Sequence, residues 1–350
     1  MDVVWMIIYL VLILSVLVFI HEGGHFLVAR AFKVRVSEFM LGFPGPNLHF
    51  TWHGTKFGVT VVPLGGYARV CGMEPGEESP HLRRLMALAY EQGSVTVAQA
   101  ADVLEVSEDE ARDALDELFE WGTLEAPKSR DEEETYRTPE RDGYAIGQAR
   151  PLGDVEAFYQ SERAQQYRML PFWKRICIVL AGPGMNLLFA VVAFIVIYSI
   201  LGVDYTDASG VTTHLTVDPL RAVAAGFHYI WLVLVAIVGL FNPSTVGDTL
   251  SNSTSVLGIA VLSKSAADAG FVNFLFFMAA ISVSLGLMNL IPIPPLDGGR
   301  FVVEIYQAIR RKNISARALS ALSVTGMALF MGLFVVMLNQ DIQRFIFGNW

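Results

Sequence analysis

Leu17-Val18-Phe19-Ile20-His21-Glu22-Gly23-Gly24-His25-Phe26-Leu27-Val28-Ala29 sets two imidazoles and a carboxylate inside an apolar run. From Val3 to Ile20 no side chain is charged, and the apolar pattern resumes at Phe26. A charge at the centre of an inserted helix costs about 2.5–3.5 kcal/mol, so these groups need a partner. On a helix, residues four apart share a face, and His21 and His25 therefore offer two nitrogens to one Zn²⁺, with Glu22 beside them as general base. The expected chemistry is metal-assisted hydrolysis.

A catalytic zinc site ordinarily takes three protein ligands. Asp297 is the strongest candidate for the third. It lies in Asn289-Leu290-Ile291-Pro292-Ile293-Pro294-Pro295-Leu296-Asp297-Gly298-Gly299, directly after a second apolar run from Phe271 to Ile291. Taken alone, an acid at the end of such a run reads first as an interfacial charge.

Its company is informative. HEGGH in a first apolar span, Ala181-Gly182-Pro183-Gly184-Met185-Asn186 in a second and Asn289 to Gly299 at a third resemble the site-2 protease family, in its RseP-like bacterial branch. Pro63-Leu64-Gly65-Gly66-Tyr67 is similar to that branch's membrane-associated β-hairpin motif. The resemblance covers roughly residues 1–72 and 170–350. It implies one catalytic zinc ion held by His21, His25 and Asp297, Glu22 as the catalytic residue, and cleavage within transmembrane segments of other proteins.

With 350 residues, 53% hydrophobic and 17% charged, the chain is too apolar for an ordinary soluble protein. The expected fold class is mainly α: a polytopic membrane protein with four transmembrane helices, a membrane-associated β-hairpin and a small soluble insertion. The first run lacks a basic leader and carries metal-site residues where a signal peptide would be cut, so it reads as a retained span. Cys71 and Cys177 show no zinc-ligand spacing and are expected as free thiols.

Candidate spans cover about 3–31, 174–202, 271–294 and 317–338, each long enough for a hydrocarbon core of about 30 Å. Ala222 to Phe241 is a fifth run of similar length. The metal argues against counting it. HEGGH lies late in its span and Asp297 follows the end of another, so both spans must run the same way, with an odd number of crossings between them. The 174–202 segment supplies one, which leaves 222–241 as an interfacial or re-entrant helix. Arg30, Lys33 and Arg35, then Arg168, Lys174 and Arg175, then Arg300, Arg310, Arg311 and Lys312 mark the cytoplasmic ends by the positive-inside rule. Both termini are then expected outside the cell membrane, and the zinc nearer the cytoplasmic face.

A helical peptide bond is shielded, its carbonyl committed to the helix, so a protease must unwind it. Lys56–Pro63 and Gly65–Val70 read as two strands around a Gly-Gly turn, a hairpin whose free edge takes the substrate as an added strand. On the family pattern, Gly65, Gly66, Tyr67, Asn186 and Asn289 are the candidate substrate-binding residues. Asn186 in an apolar helix also suits a bond to a neighbouring helix. Pro292, Pro294 and Pro295 break the third span before Asp297. His53, His214 and His228 have no comparable neighbours and read as ordinary loop or interfacial histidines.

Three units follow: 1–72, the first span and hairpin; 73–170, a cytoplasmic acidic insertion; and 171–350, the remaining membrane core. From Glu74 to Asp142 there are 20 acidic and 7 basic residues, a net of −13 in a chain of net −9. A helix over 81–91, two capping boxes at Thr96-Val97-Ala98-Gln99 and Ser107-Glu108-Asp109-Glu110, an apolar face of Ala111, Ala114, Leu115, Leu118 and Phe119, and a terminal Gly122 predict three helices, followed by a hairpin of 123–126 with 135–138. This order, over about 81–140, resembles a winged-helix module. Nucleic acid is not the expected partner, because the helix that would enter the groove carries seven acids and one Arg and would repel phosphate. A cytosolic protein partner or a gating role is. About 68 residues separate the second and third spans, too few for the PDZ domains usual in the resembled branch.

The function expected from all this is an intramembrane zinc endopeptidase acting on membrane-anchored regulatory proteins or signal-peptide remnants. The alternative is a non-proteolytic receptor or scaffold with a retained metal site, against which Glu22 speaks, since a structural site needs no base. A metal transporter would spread ionisable groups along a path, whereas these are concentrated in one place.

Overall fold

The computed structural model describes residues 2–62, 65–73, 78–127, 131, 133–141, 143–206, 210–312 and 314–348. Pro63 and Leu64 of the strand motif lie outside them. The chain opens with α1 (Asp2–Ala31), followed by β1 (Val36–Leu41), β2 (Asn47–Trp52), β3 (Thr55–Thr60) and β4 (Gly66–Val70). The insertion contributes α2 (Leu82–Gln92), β5 (Ser94–Thr96), α3 (Val97–Leu104), α4 (Glu108–Glu120), β6 (Thr135–Arg137) and α5 (Val155–Ala164). Then come α6 (Phe172–Ile195), continued by a π-helical turn to Leu201, β7 (Val203–Thr206) and β8 (Thr212–Leu215), α7 (Pro219–Gly239), α8 (Val246–Asn252), α9 (Val256–Asp268), α10 (Phe271–Asn289), α11 (Asp297–Arg310) and α12 (Ala316–Phe345).

Among the described residues, five helical segments are long and apolar enough to cross a membrane: Asp2–Ala31, Phe172–Leu201, Pro219–Gly239, Phe271–Asn289 and Arg317–Phe345. The one beyond the expected four is α7. Around the central α6, α1 runs antiparallel, since His25 meets Ile178 while His21 meets Asn186. Likewise α10 is antiparallel to α6, with Phe276 against Phe194 and Ser282 Oγ bonded to the Asn186 carbonyl. Hence α1 and α10 run the same way, and Tyr9 packs on Phe274 at their far ends. This is the relation that the metal ligands required.

The sheet differs from the expected hairpin. Strand order is β2-β3-β1-β4, so β3 and β4 flank β1 instead of pairing with each other. β1 pairs parallel with β3 and antiparallel with β4. The true hairpin is β2–β3, turned at His53-Gly54, both with positive φ. A two-residue turn of this kind matches the twist of the strands it joins.

Inside the insertion, α2, α3 and α4 bury Leu82, Leu85, Met86, Ala100, Ala111, Ala114, Leu115 and Leu118 in one core. The Thr96 box is complete, Thr96 Oγ1 accepting from Gln99 N–H while Gln99 accepts from Thr96 N–H. At Ser107 only the hydroxyl half forms, to Glu110 N–H. Gly122 is left-handed at the end of α4. The expected second hairpin is reduced to a bridge between Glu125 and Arg137, and β6 pairs instead with β5. The insertion rests on the sheet through Lys56–Glu125 and the Arg69 guanidinium over Phe119.

Candidate metal centre

α1 delivers His21 and His25 to the α6 side because a four-residue step keeps both on one face. Two glycines allow the approach. A Cβ on Gly24 would lie 2.4 Å from the Ala181 carbonyl oxygen, so this position lets α1 and α6 touch backbone to backbone. A Cβ on Gly182 would lie 2.3 Å from His25 Nε2 and 2.9 Å from His21 Nε2, inside the space between the rings.

Asp297 enters from the other side. α10 stops at Asn289, the proline-containing segment turns the chain, and Asp297 opens α11. Its Oδ2 lies 3.1 Å from His21 Nε2 and 3.3 Å from His25 Nε2. All three side chains are largely buried, and their ligand atoms fall within 4.8 Å of one another.

The outer contacts decide which nitrogens face inward. His25 Nδ1 lies 2.8 Å from the Ile178 carbonyl oxygen, which can only accept. Nδ1 therefore carries the proton, and Nε2 turns a lone pair towards Asp297. His21 Nδ1 lies 3.2 Å from the Asn186 amide. Asn186 is fully buried and its Oδ1 has no donor. Turning the amide so that Oδ1 accepts from His21 Nδ1–H satisfies that oxygen and frees His21 Nε2 in the same way. Asp297 Oδ2 is likewise buried without an aligned hydrogen bond. Two imidazole lone pairs and an unsatisfied carboxylate oxygen converging on a space kept open by a glycine suit a cation. His, His and Asp are ordinary zinc donors.

Glu22 sits on the neighbouring face. Its Oε2 accepts from Ala68 N–H of β4 at 2.9 Å. Gly66 makes room for this packing, since a Cβ there would meet Val18 Cγ1 at 2.7 Å and the Met40 carbonyl oxygen at 2.9 Å.

The expected substrate-binding residues divide. Asn186 belongs to the site through His21, and Gly66 through α1. Gly65 directly precedes β4 and has positive φ. The Tyr67 hydroxyl points elsewhere, donating to Glu38 Oε2 at 3.0 Å; burial and Glu38 push its pKa up to about 12. Asn289 is half-buried at the end of α10 and makes no hydrogen bond to the histidines or Asp297. Sequence reasoning missed Gly182, Ile178 and Ala68. Gly182 stood within a recognised motif, while the latter two act through backbone atoms and leave no side-chain signal.

Comparison with known proteins follows the same geometry. The model of Peptidase family M50 matches residues 9–333. The chain belongs to this family. Similar proteins include a putative zinc metalloprotease of Campylobacter jejuni, 27% identical over 96% of this chain and 93% of the relative. The probable protease Eep of Enterococcus faecalis is 25% identical over 97% and 99%, and the regulator of sigma-W protease RasP of Bacillus subtilis is 24% identical over 95% and 97%. This M50 chain is therefore a multi-pass membrane zinc metalloprotease of the site-2 type, and the receptor or scaffold alternative is set aside.

Proposed function

We propose that this protease hydrolyses peptide bonds inside transmembrane segments of membrane-anchored regulatory proteins or signal-peptide remnants. The observation that carries the reading is the placement of a sheet edge beside the metal residues: β4 ends the sheet, and its Ala68 N–H holds Glu22. The opposite edge, β2, lies three strand spacings away, about 14 Å, too far to deliver a scissile bond to Glu22. An unwound substrate adds to the β4 side, its lost helical bonds replaced by strand pairing.

His21, His25 and Asp297 would hold the ion, and the Glu22 carboxylate would take the proton of the attacking water and return it to the leaving amine. Zinc, when bound, supplies Lewis acidity. The Ile178 carbonyl and Asn186 fix the imidazoles, so neither ring swings during turnover.

The reading includes four crossings, both termini outside and the insertion cytoplasmic. Arg30, Lys33, Arg35, Arg168, Lys174 and Arg175 cluster at the metal end, which supports that orientation. The segment from β7 to α9 starts and finishes at the far end: it follows the end of α6, and Lys264 on α9 pairs with Asp2. Among the described residues of this segment α7 alone has the length of a span, and the 13 residues of α9 cover about 20 Å, which supports α7 as re-entrant. The test is to reconstitute the protein in vesicles with single-span peptides and map the products by mass spectrometry. Cuts inside the apolar segment are expected. Cuts confined to flanking polar residues would overturn the intramembrane reading.

A further inference from the structure

Outside the metal centre, one buried polar cluster links α11, α6 and the end of β4, three of the elements that build it. Glu304 on α11 is 8% exposed and Tyr167 only 2%. Tyr167 Oη donates to Glu304 Oε1 at 3.1 Å, and Arg175 Nη1 lies 3.0 Å from Oε2 as an ion pair, although that oxygen receives no aligned hydrogen bond.

Asp297 and Glu304 are seven residues apart on α11, two turns, and so share a face about 10 Å apart along the axis. Arg175 lies in the first turn of α6, three residues before Ile178, whose carbonyl fixes His25. Tyr167 N–H donates to the carbonyl oxygen of Cys71, the residue after β4, the strand that holds Glu22. Three elements that carry parts of the site thus converge on one carboxylate. The first turn of α11 packs closely against the 290–294 turn through Gly298 and Gly299, and Phe301 meets the neighbouring core, while Val302, Tyr306 and Ile309 are exposed; beyond that turn Glu304 is the buried polar contact of the helix.

We propose that Glu304 is a positioning residue for the metal centre: through Tyr167 and Arg175 it sets the rotation of α11 about its axis and thereby aims the Asp297 carboxylate at His21 and His25. A buried ion pair adds little stability over a well-packed apolar residue, and what it fixes is orientation. Removing it relaxes α11, and the two histidines then face a carboxylate held less well. The inference rests on Asp297 being the third ligand, so the experiment separates the two claims.

The full-length protein in detergent is titrated with zinc against a chromophoric chelator, with thermal unfolding of zinc-free samples alongside. Glu304→Met keeps the volume and removes the charge. Zinc affinity is expected to fall about tenfold, the size usual for outer residues that orient a ligand, while the zinc-free melting temperature also falls because Arg175 keeps its charge without a partner, so affinity is read well below that transition. Tyr167→Phe, which removes one oxygen, is expected to weaken zinc binding about three- to tenfold, and it carries the test should Glu304→Met not purify folded. Wild-type zinc affinity in a folded Glu304→Met, or in Tyr167→Phe used in its place, would overturn the proposal. So would an equal loss in Glu162→Gln, a control that destabilises the insertion without touching α11. Asp297→Ala is measured in parallel: wild-type affinity there defeats the ligand assignment itself, whereas loss there with no change in Glu304→Met defeats only the positioning role.

Discussion

The metal centre and the cluster that docks the insertion both bury charge, and they do so differently. Glu162 on α5 is held by Arg35, just after α1, and by Arg141 of the insertion, with Thr123 Oγ1 donating to it as well. Arg35 further donates to the Trp121 carbonyl and to Gln165. Every oxygen of that carboxylate has a donor. At the metal centre Asp297 Oδ2 and Asn186 Oδ1 lack one, and the facing histidine nitrogens have none to give once their outer nitrogens are engaged. A buried polar cluster that closes on itself is structural, while one whose open carboxylate oxygen converges with two imidazole lone pairs marks where a ligand belongs.

The largest effect expected from breaking this contrast is at Gly182. Gly182→Ala places a methyl group between the two Nε2 atoms, and zinc affinity is expected to drop by about 100-fold or more, with cleavage lost alongside; chelator competition measures it. Next is the closed cluster. Glu162→Gln leaves two buried guanidinium groups short of a counter-charge, and the insertion is expected to lose about 3–5 kcal/mol in denaturant unfolding while zinc stoichiometry is unchanged. A comparable loss of zinc would erase the distinction between the two regions.

Acidity probes the same carboxylate. Burial alone would raise the Glu162 pKa, but the Arg35 and then the Arg141 guanidinium overcome it and hold it down at about 2, against an ordinary 4.5. The fold therefore favours the ionised form. Its contribution is complete above about pH 4.5 and disappears as pH falls towards 2. Unfolding of the insertion followed by tryptophan fluorescence should show a loss across that window that is absent in Glu162→Gln. The smallest effect is at the exposed cap: Thr96→Ala removes half of a capping box and should cost about 1 kcal/mol, with no change in zinc binding or cleavage.

The metal residues were legible because they are costly where they stand. A His-Glu pair in an apolar run needs a reason, and helical spacing supplied the geometry. The parallel course of α1 and α10 followed from requiring Asp297 to reach the histidines. The insertion's helices were legible from capping residues and a 3.6-residue apolar period. The sheet was not, because β1–β3 is a parallel pairing between strands that are not neighbours in sequence, and local turn signals say nothing about it. Gly65-Gly66 looked like a hairpin turn, whereas Gly66 serves close contact with α1, and the real turn at His53-Gly54 carried a histidine in a position more often filled by Asn or Asp. The Arg35–Glu162–Arg141 cluster joins residues more than 100 positions apart, and no periodicity reports it.

The central claim is that the open cluster is a catalytic zinc site with Glu22 as its base. The most direct measurement compares wild type and Glu22→Gln for bound zinc and for cleavage of a single-span peptide, before and after chelation and zinc return. The account predicts equal zinc in both, cleavage by wild type that disappears with the ion and comes back with it, and at least about a 100-fold lower rate in Glu22→Gln. Undiminished cleavage by Glu22→Gln with its zinc in place would contradict it.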